Sequence, residues 1–579
     1  PEMMNTFEFQ DYYQQHQDNP NSPEHVEGRD PFSFANSRPN TDWLDEITRE
    51  GTQTRNFSLS ATGGNEQITY SIGGSYLNQE GVLLDSDMER YNMRLNLNAN
   101  ISDRIRVGNS LVASRSEKTW AWVDGTARGI FGMGSMTSAM YWYPFQPLYN
   151  EEGEVYRHNT ESAREIMRSV YNMNHPIGLL TDQQDKRNFN RMLGNLFAEV
   201  DITNDLYLKV SVGGDIESRD NSILYTEHLS QGPRLIKQSN NRQNFINENT
   251  LNYSLSTGDH SIDAVGGFTV QKNSTVTDFS QDRNFPFDRL SHEAADAQST
   301  DILTTWASRN EWTMASWLGR INYGYQGKYL VTASVRSDGS SRFAEDEKWG
   351  VFPSAALAWR MSEESFMQQV SAVDNLKLRA SYGVTGNSEI GVNQSLLTVG
   401  QTRYSFDGRE VSAFYPSGPE NNRLRWEQTK QTDIGLDLGV FDYLLTMSFD
   451  VYWKDTEDLL VNVPLDPLTG FGSTLLNIGS IKNNGFDVDL TGNWINTADF
   501  AWTTNFNYSQ YRNEVIEISP LEDEFSVNGA VERWEYQSYV KVGEPLGAYK
   551  GFQTDGLISQ ANIDAGVVHP GAAELGGMK

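Results

Sequence analysis

The strongest constraint on what this chain can fold into is a period of two. Residues 443–455 read YLLTMSFDVYWKD. Taken alternately, Tyr443, Leu445, Met447, Phe449, Val451 and Trp453 fall on one face. Thr446, Ser448, Asp450, Tyr452 and Lys454 fall on the other, with Leu444 the exception. Side chains alternate across a strand, so this segment reads as a β-strand with one apolar and one wet face. The pattern recurs in YNMRLNLNANI (91–101), DLYLKVSV (205–212), GFDVDLTGNW (485–494) and FAWTTNFNYS (500–509). About sixteen such segments can be counted, most of them roughly 10 to 15 residues long.

Connections between the segments alternate too. Short turns fall at TGGNE (62–66), ISDR (101–104), TNDL (203–206), STGDH (256–260), YQGK (325–328), SAVDN (371–375), FDY (441–443) and NTADF (496–500). Long irregular stretches cover 118–187, 219–242, 274–307, 386–425 and 455–479. Short, long, short, long is the signature of an up-and-down antiparallel sheet with one trimmed end and one decorated end. Outer-membrane barrels have tight periplasmic turns and longer extracellular loops. Within the long stretches ESAREIMRSVYNM (161–173) reads as a loop helix, and residues 1–50 read as polar, irregular loop.

Three architectures accommodate such strands. A soluble sandwich turns its apolar faces inward, but its strands usually run to only about 5–6 residues. A propeller repeats its motif about every 40–50 residues, and the chain shows no such period. A closed sheet of this many strands encloses a lumen too wide for side chains to fill. Its inner face is then wet and its apolar face meets lipid. The wet rows of Asn, Asp, Thr, Ser and Arg suit that lumen. Trp426, Tyr443, Trp453, Trp494 and Trp502, near strand ends, suit the two interfacial girdles.

Composition removes other classes. A net charge of -31 makes nucleic acid a poor partner, and zero cysteines exclude disulfides and Cys-ligated metal. Mean hydropathy is -0.57, and no apolar run has the length of a transmembrane helix. Alternating strands average their hydropathy away, so this leaves a membrane barrel open. No charged and apolar export signal follows Pro1, and the chain reads as a piece of a longer protein.

Several stretches resemble the SusC/RagA family of TonB-dependent outer-membrane transporters of Bacteroidetes. They are NTDWLDEI (40–47), FSLSATGGNEQITYSIGGSYLNQEGVL (57–83), SVRSDGSSRFAEDEKWGVFPSAALAWRMSEESF (334–366), LKLRASYGVTGN (376–387), LRWEQTKQTDIGLDLGVF (424–441) and NIGSIKNNGFDVDL (477–490). Their order and spacing match as well. The resemblance implies a transmembrane β-barrel of about 22 strands closed by a plug. It also implies coupling to the TonB–ExbB–ExbD complex and a SusD-like lipoprotein that lids the extracellular mouth. The cargo would be an oligosaccharide or, in the RagA branch, a peptide. On this reading residues 1–52 belong to an extracellular loop after a first strand lying before residue 1. Residues 53–579 form a partial barrel, and the plug, the TonB-contacting segment and the last strands fall outside the sequence.

Catalytic and cofactor motifs (HExxH, GxSxG, a P-loop, an EF-hand loop) are absent, and the eight His are scattered. His175, in NMNHPIG, reads as an ordinary loop residue. SDGSSRF (337–343) reads as a turn whose Arg342 pairs loop carboxylates. The best ligand signal is aromatic: KTWAWVDGTARGIFGMGSMTSAMYWYPFQPLY (118–149) offers Trp120, Trp122, Phe131, Tyr141, Trp142, Tyr143 and Phe145. Aromatic faces with polar edges stack on sugar rings or grip peptide side chains. The same residues also suit the loop's own core or a surface packed by a lid. A passive porin and a surface adhesion barrel remain as competing classes.

Overall fold

A computed structural model of the chain describes residues 3–17, 40–123, 134–149, 176–181, 183–225, 234–283, 301–518, 524–527 and 538–549. The loop-helix reading of 161–173 and His175 lie outside them. The strands, in chain order, begin with β1 (Thr54–Gly64), β2 (Ile68–Glu80), β3 (Asp87–Ser102), β4 (Ile105–Thr119), β5 (Gln183–Asp201) and β6 (Leu206–Tyr225). There follow β7 (Arg234–Thr257), β8 (His260–Arg283), β9 (Asp301–Tyr325), β10 (Tyr329–Ser340), β11 (Trp349–Arg360) and β12 (Val373–Asn387). Next come β13 (Thr398–Phe406), β14 (Arg409–Gly418), β15 (Glu427–Val440), β16 (Leu445–Glu457), β17 (Leu460–Pro464) and β18 (Ser473–Asn477). The last are β19 (Ser480–Asn496), β20 (Ala501–Glu517), β21 (Glu524–Val527), β22 (Ser538–Lys541) and β23 (Ala548–Tyr549). A 16-stranded sheet takes β1 to β12, β15, β16, β19 and β20 in that order. β13–β14 and β17–β18 are separate hairpins inserted into its connections.

The chain divides into two compact units, Pro1–Thr250 with Thr269–Thr313, and Leu251–Phe268 with Met314–Lys579. In the first, Leu59, Gly74, Met93, Ala113 and Met192 form one cross-strand row, with Ser71, Asn96, Ser110, Asn195 and Gly213 on the opposite face. In the second, the row Leu378, Leu436, Phe449, Val488 and Tyr508 backs the row Lys377, Asp437, Ser448, Asp489 and Asn507. Along these rows each sheet face keeps one character across several strands, as the alternation requires.

Among the described residues, neither face covers a core, and the buried apolar side chains gather at the long-connection end of the strands. One cluster holds Trp43, Ile47, Leu83, Ala121, Ala139, Trp142, Ile177 and Leu180. Another holds Phe343, Phe352, Leu424 and Trp426. Many mid-strand apolar residues stay exposed, with Leu59 at 82% and Ile434 at 51%. A surface of this kind is far larger than the few hundred Å² of contiguous apolar patch a soluble monomer tolerates, so lipid must cover it.

Aromatic rows bound the apolar band in the second unit. Tyr325, Tyr329 and Trp359 pair across β9, β10 and β11, with ring centroids 6.4 and 6.5 Å apart. Ten residues further along β10, Gly339 pairs with the exposed Trp349. At about 3.3 Å per residue and a tilt near 40°, the two rows stand about 25 Å apart along the membrane normal, the height of a barrel's apolar band.

Several sequence expectations change in detail. Strands run longer than expected: β7 and β8 have 24 residues each and β9 has 25. They rise past the lipid band into the stretches read as loop. SAVDN closes a longer connection that opens with a 3₁₀ turn at Met361–Glu363. Residues 1–50 are not all loop, since helices cover Thr6–Gln17 and Trp43–Ile47. The second is capped by Asp42, which accepts from the Leu44 and Asp45 amides at 3.1 and 3.2 Å. Trp426 is not in a girdle; it is buried, donating from its indole to the Lys348 carbonyl at 2.9 Å. Leu444 is explained by the turn: its amide closes on the Phe441 carbonyl at 3.1 Å and the strand starts at Leu445.

Candidate functional site

The polar face carries networks of fixed charges rather than isolated ones. On β12, β15 and β16, Arg379 lies across from Gly435, and Gly435 from Asp450. A Cβ on Gly435 would sit 2.7 Å from the Arg379 guanidinium carbon. Its absence lets the guanidinium cross β15. Arg379 then donates to Asp437 at 2.9 and 3.0 Å and to Asp450 at 3.0 Å, with Ser448 bridging to Asp437 at 3.1 Å. On β4, β5 and β6, Arg106 is held by Asp201 at 2.8 and 2.9 Å and by Glu199 at 3.1 Å, and Lys209 reaches Glu199 at 2.9 Å. Arg191 pairs with Asp215 through two 2.9 Å bonds. A mid-strand carboxylate such as Asp450 is thus part of the hydrated wall, paired with Arg379. No group of three or more His, Asp or Glu able to hold a metal occurs among the described residues.

At the long-connection end these walls meet the loops where the sequence placed its candidate residues. Trp142 is buried against Trp43, edge to face at 6.3 Å. The Trp43 indole donates to the Tyr143 carbonyl at 2.9 Å, which ties the short helix to the loop. Tyr143 is half-buried and stacks on Phe145, 5.0 Å and 15° away. Trp122 packs on Leu179, Ile223 and Tyr225, and its carbonyl accepts from Ser135. Trp120 is the exposed one, at 36%, with Lys118 Nζ 3.8 Å and Arg187 Cζ 4.6 Å from its ring centroid. Tyr141 closes a helical turn (Ser135–Tyr141), while Phe131 lies outside the described residues. The structure thus joins Trp142 and Tyr143 in one packed loop core and sets Trp120 apart beside two cations.

Two hollows open at this end. One of about 300 Å³ is bordered by Gln79, Val82, Met88, Lys118 and Trp120. Another of about 500 Å³ lies among Asn387, Gln394, Thr398, Ser417, Asn462 and Thr474, between the two inserted hairpins. The β13–β14 hairpin turns at Asp407–Gly408, both at positive φ, and exposes Val399, Tyr404, Phe406 and Phe414. Beneath it, Arg342 donates to the Ser388 carbonyl at 2.9 Å and lies 3.6 Å from Glu389, the loop-carboxylate pairing expected of it. Beside it, two hydrogen bonds to Asp458, the shorter 2.7 Å, hold the Arg425 guanidinium above its usual range. At the opposite end, Tyr329, Trp359 and Lys328 all donate to Glu364, which holds its carboxyl below the ordinary glutamate value of 4.5. The charge ladders and the cation pair beside Trp120 were missed in the sequence. The only signal there was a basic residue recurring on wet faces.

Comparison with known proteins fits this geometry. Residues 152–544 match the family described as TonB dependent receptor-like, beta-barrel. TonB-dependent receptor P3 of Formosa agariphila is 30% identical over 541 residues, covering 92% of this chain and 53% of that protein. TonB-dependent receptor SusC of Bacteroides thetaiotaomicron is 28% identical over 510 residues, 84% of this chain and 49% of that protein. The chain spans about half the length of the curated relatives it matches. A solved structure titled RagAB peptide importer in the closed-closed state superposes with a TM-score of 0.78 at 21% identity, covering 94% of this chain and 59% of that one. At that identity the likeness is one of fold.

Proposed function

The chain belongs to the TonB-dependent receptor-like β-barrel family of the Gram-negative outer membrane, and from that premise we propose that the protein it represents imports a nutrient too large for porins. The cargo is an oligosaccharide, drawn inward by TonB–ExbB–ExbD and held under a SusD-like lipoprotein lid. One observation carries this reading. The sheet pairs an uncovered apolar face with a charge-laddered polar face, as a barrel between lipid and a hydrated lumen needs. The lid docks at the long-loop end, where the β13–β14 hairpin holds Phe406 and Phe414 out at 69% and 72% exposure. Trp120, Trp122, Trp142 and Tyr143 form and border the mouth, with residues 1–52 in an adjoining extracellular loop. Trp120 supplies contact to cargo, and the packed rings keep its loop in place.

Uptake of labelled oligosaccharides by cells carrying the full-length protein tests this. Saturable uptake that stops when a protonophore dissipates the proton gradient is the expected result. Uptake that persists under the protonophore would mark a passive pore. Saturable, gradient-dependent uptake of peptides but not glycans would move the cargo to the peptide class.

A further inference from the structure

The polar wall of the first unit breaks a rule of sheet design near the mouth. Lys118 on β4 lies directly across from Arg187 on β5. Like charges in that register repel, and stable sheets avoid them. The next row down adds Arg90, paired in register with Ser116, on the same face. Set against these three cations is Asp185, and both its oxygens are committed to Arg187, at 2.9 and 2.8 Å. Among the described residues, no carboxylate stands within ion-pair distance of Lys118 or Arg90; Lys118 rests on the Trp120 ring instead. An uncompensated basic spot is unexpected in a chain of net charge -31. On the same wall Arg106 is matched by Asp201 and Glu199, and Arg191 by Asp215.

The hollow of about 300 Å³ beside Lys118 shows what the spot is shaped to receive. Its border brings Trp120, Met88, Gln79 and Ser86 together with Lys118, and the Asp87 that also borders it is already paired with Arg49. Lys118 and Arg187 occupy ring surface on Trp120 that a neutral pyranose would need for stacking. Recognition therefore runs through charge rather than through the aromatic face. We propose that Lys118, Arg187 and Arg90, with Trp120, form an anion-reading site at the lumen mouth that takes the sulfate or uronate group of an acidic oligosaccharide. The ligand's charge completes the register that the sheet leaves unbalanced, and Asp185 keeps the Arg187 fork fixed for it. This assignment rests on the import reading given above and narrows its cargo to acidic glycans.

Calorimetry on the full-length protein with its lipoprotein partner tests it. The probes are a chondroitin sulfate tetrasaccharide, a tetragalacturonate and neutral maltotetraose. The wild type should bind one of the acidic probes at least about ten-fold more tightly than the neutral one, with a steep loss in high salt. Lys118→Gln should lose about ten-fold on that probe, and Lys118→Arg should keep its affinity. The heat-dependent gel shift of intact barrels confirms that each variant is folded. If Lys118→Gln binds acidic probes as well as the wild type, or maltotetraose binds as tightly as they do, the site is refuted while glycan import stands. If no glycan binds at all, both readings fall.

Discussion

At the scale of single residues, one missing side chain organises the wall around Arg379. Gly435 leaves the space through which the guanidinium reaches both Asp437 and Asp450. Gly435→Val should push Arg379 off at least one carboxylate, stranding a charge that is only 29% exposed. A loss of about 2–3 kcal/mol in urea unfolding is expected, against under about 1 kcal/mol for Asp450→Asn, which keeps the shape and one acceptor. Unfolding midpoints in a lipid or detergent system measure both. Glu364 gives a pH dependence with a definite sign. Its carboxyl is depressed by the Tyr329, Trp359 and Lys328 donors, so its contribution is complete above the ordinary glutamate value of 4.5 and lost as pH falls through the lower folded value. Protease cleavage within 361–372 should therefore rise as pH falls below the ordinary glutamate value of 4.5, and Glu364→Gln should show the fast rate already at neutral pH. Neither contact was readable in the sequence. Gly435 looked like one small residue in a strand, and Glu364 like one acid in an acidic turn.

Among elements, the inserted hairpins stand apart from the strands that carry them. Among the described residues β13 and β14 pair only with each other, through the Asp407–Gly408 turn, and Val399, Tyr404, Phe406 and Phe414 on them stay exposed. Replacing 399–417 by a short Gly-Ser linker should leave the gel-shift signature of a folded barrel intact and abolish capture of the lipoprotein lid. Co-purification with a tagged lipoprotein checks this, and undiminished capture would remove the hairpin from the interface. Most strands could be placed from the sequence because alternation is local and repeats over more than a dozen residues. Their upper ends could not. Above the lipid band the wet–greasy alternation lapses on both faces, so β7, β8 and β9 were read as turning to loop too early. The helix at Trp43–Ile47 was missed because five residues give no periodicity. Its two buried side chains matter only through partners tens to about a hundred positions away, such as Leu83 and Tyr143.

For the molecule as a whole, the outward direction of the greasy face has an energetic test. Phe449 stands mid-band between Leu436 and Val488, whereas Asn505 lies in the opposite row with Thr446 and Thr491. Phe449→Arg should cost about 2–4 kcal/mol of unfolding free energy in phospholipid vesicles, and Asn505→Arg less than about 1 kcal/mol. Equal costs would mean that the two faces see the same solvent. The fold class, the strand count and the family resemblance were all legible beforehand, since each rests on pattern along the chain. So was the answer for YLLTMSFDVYWKD, whose Leu445, Met447, Phe449 and Val451 line the lipid side. What only the tertiary structure decided is which residues stand side by side. Where a short turn joins two strands the turn sets the register, but across long connections such as those before β5 and β15 it is fixed by pairing between segments tens of residues apart. It alone joined Arg379 to Asp437 and Asp450, sank Trp142 and Trp426 into cores, and set Lys118 against Arg187 beside the exposed Trp120.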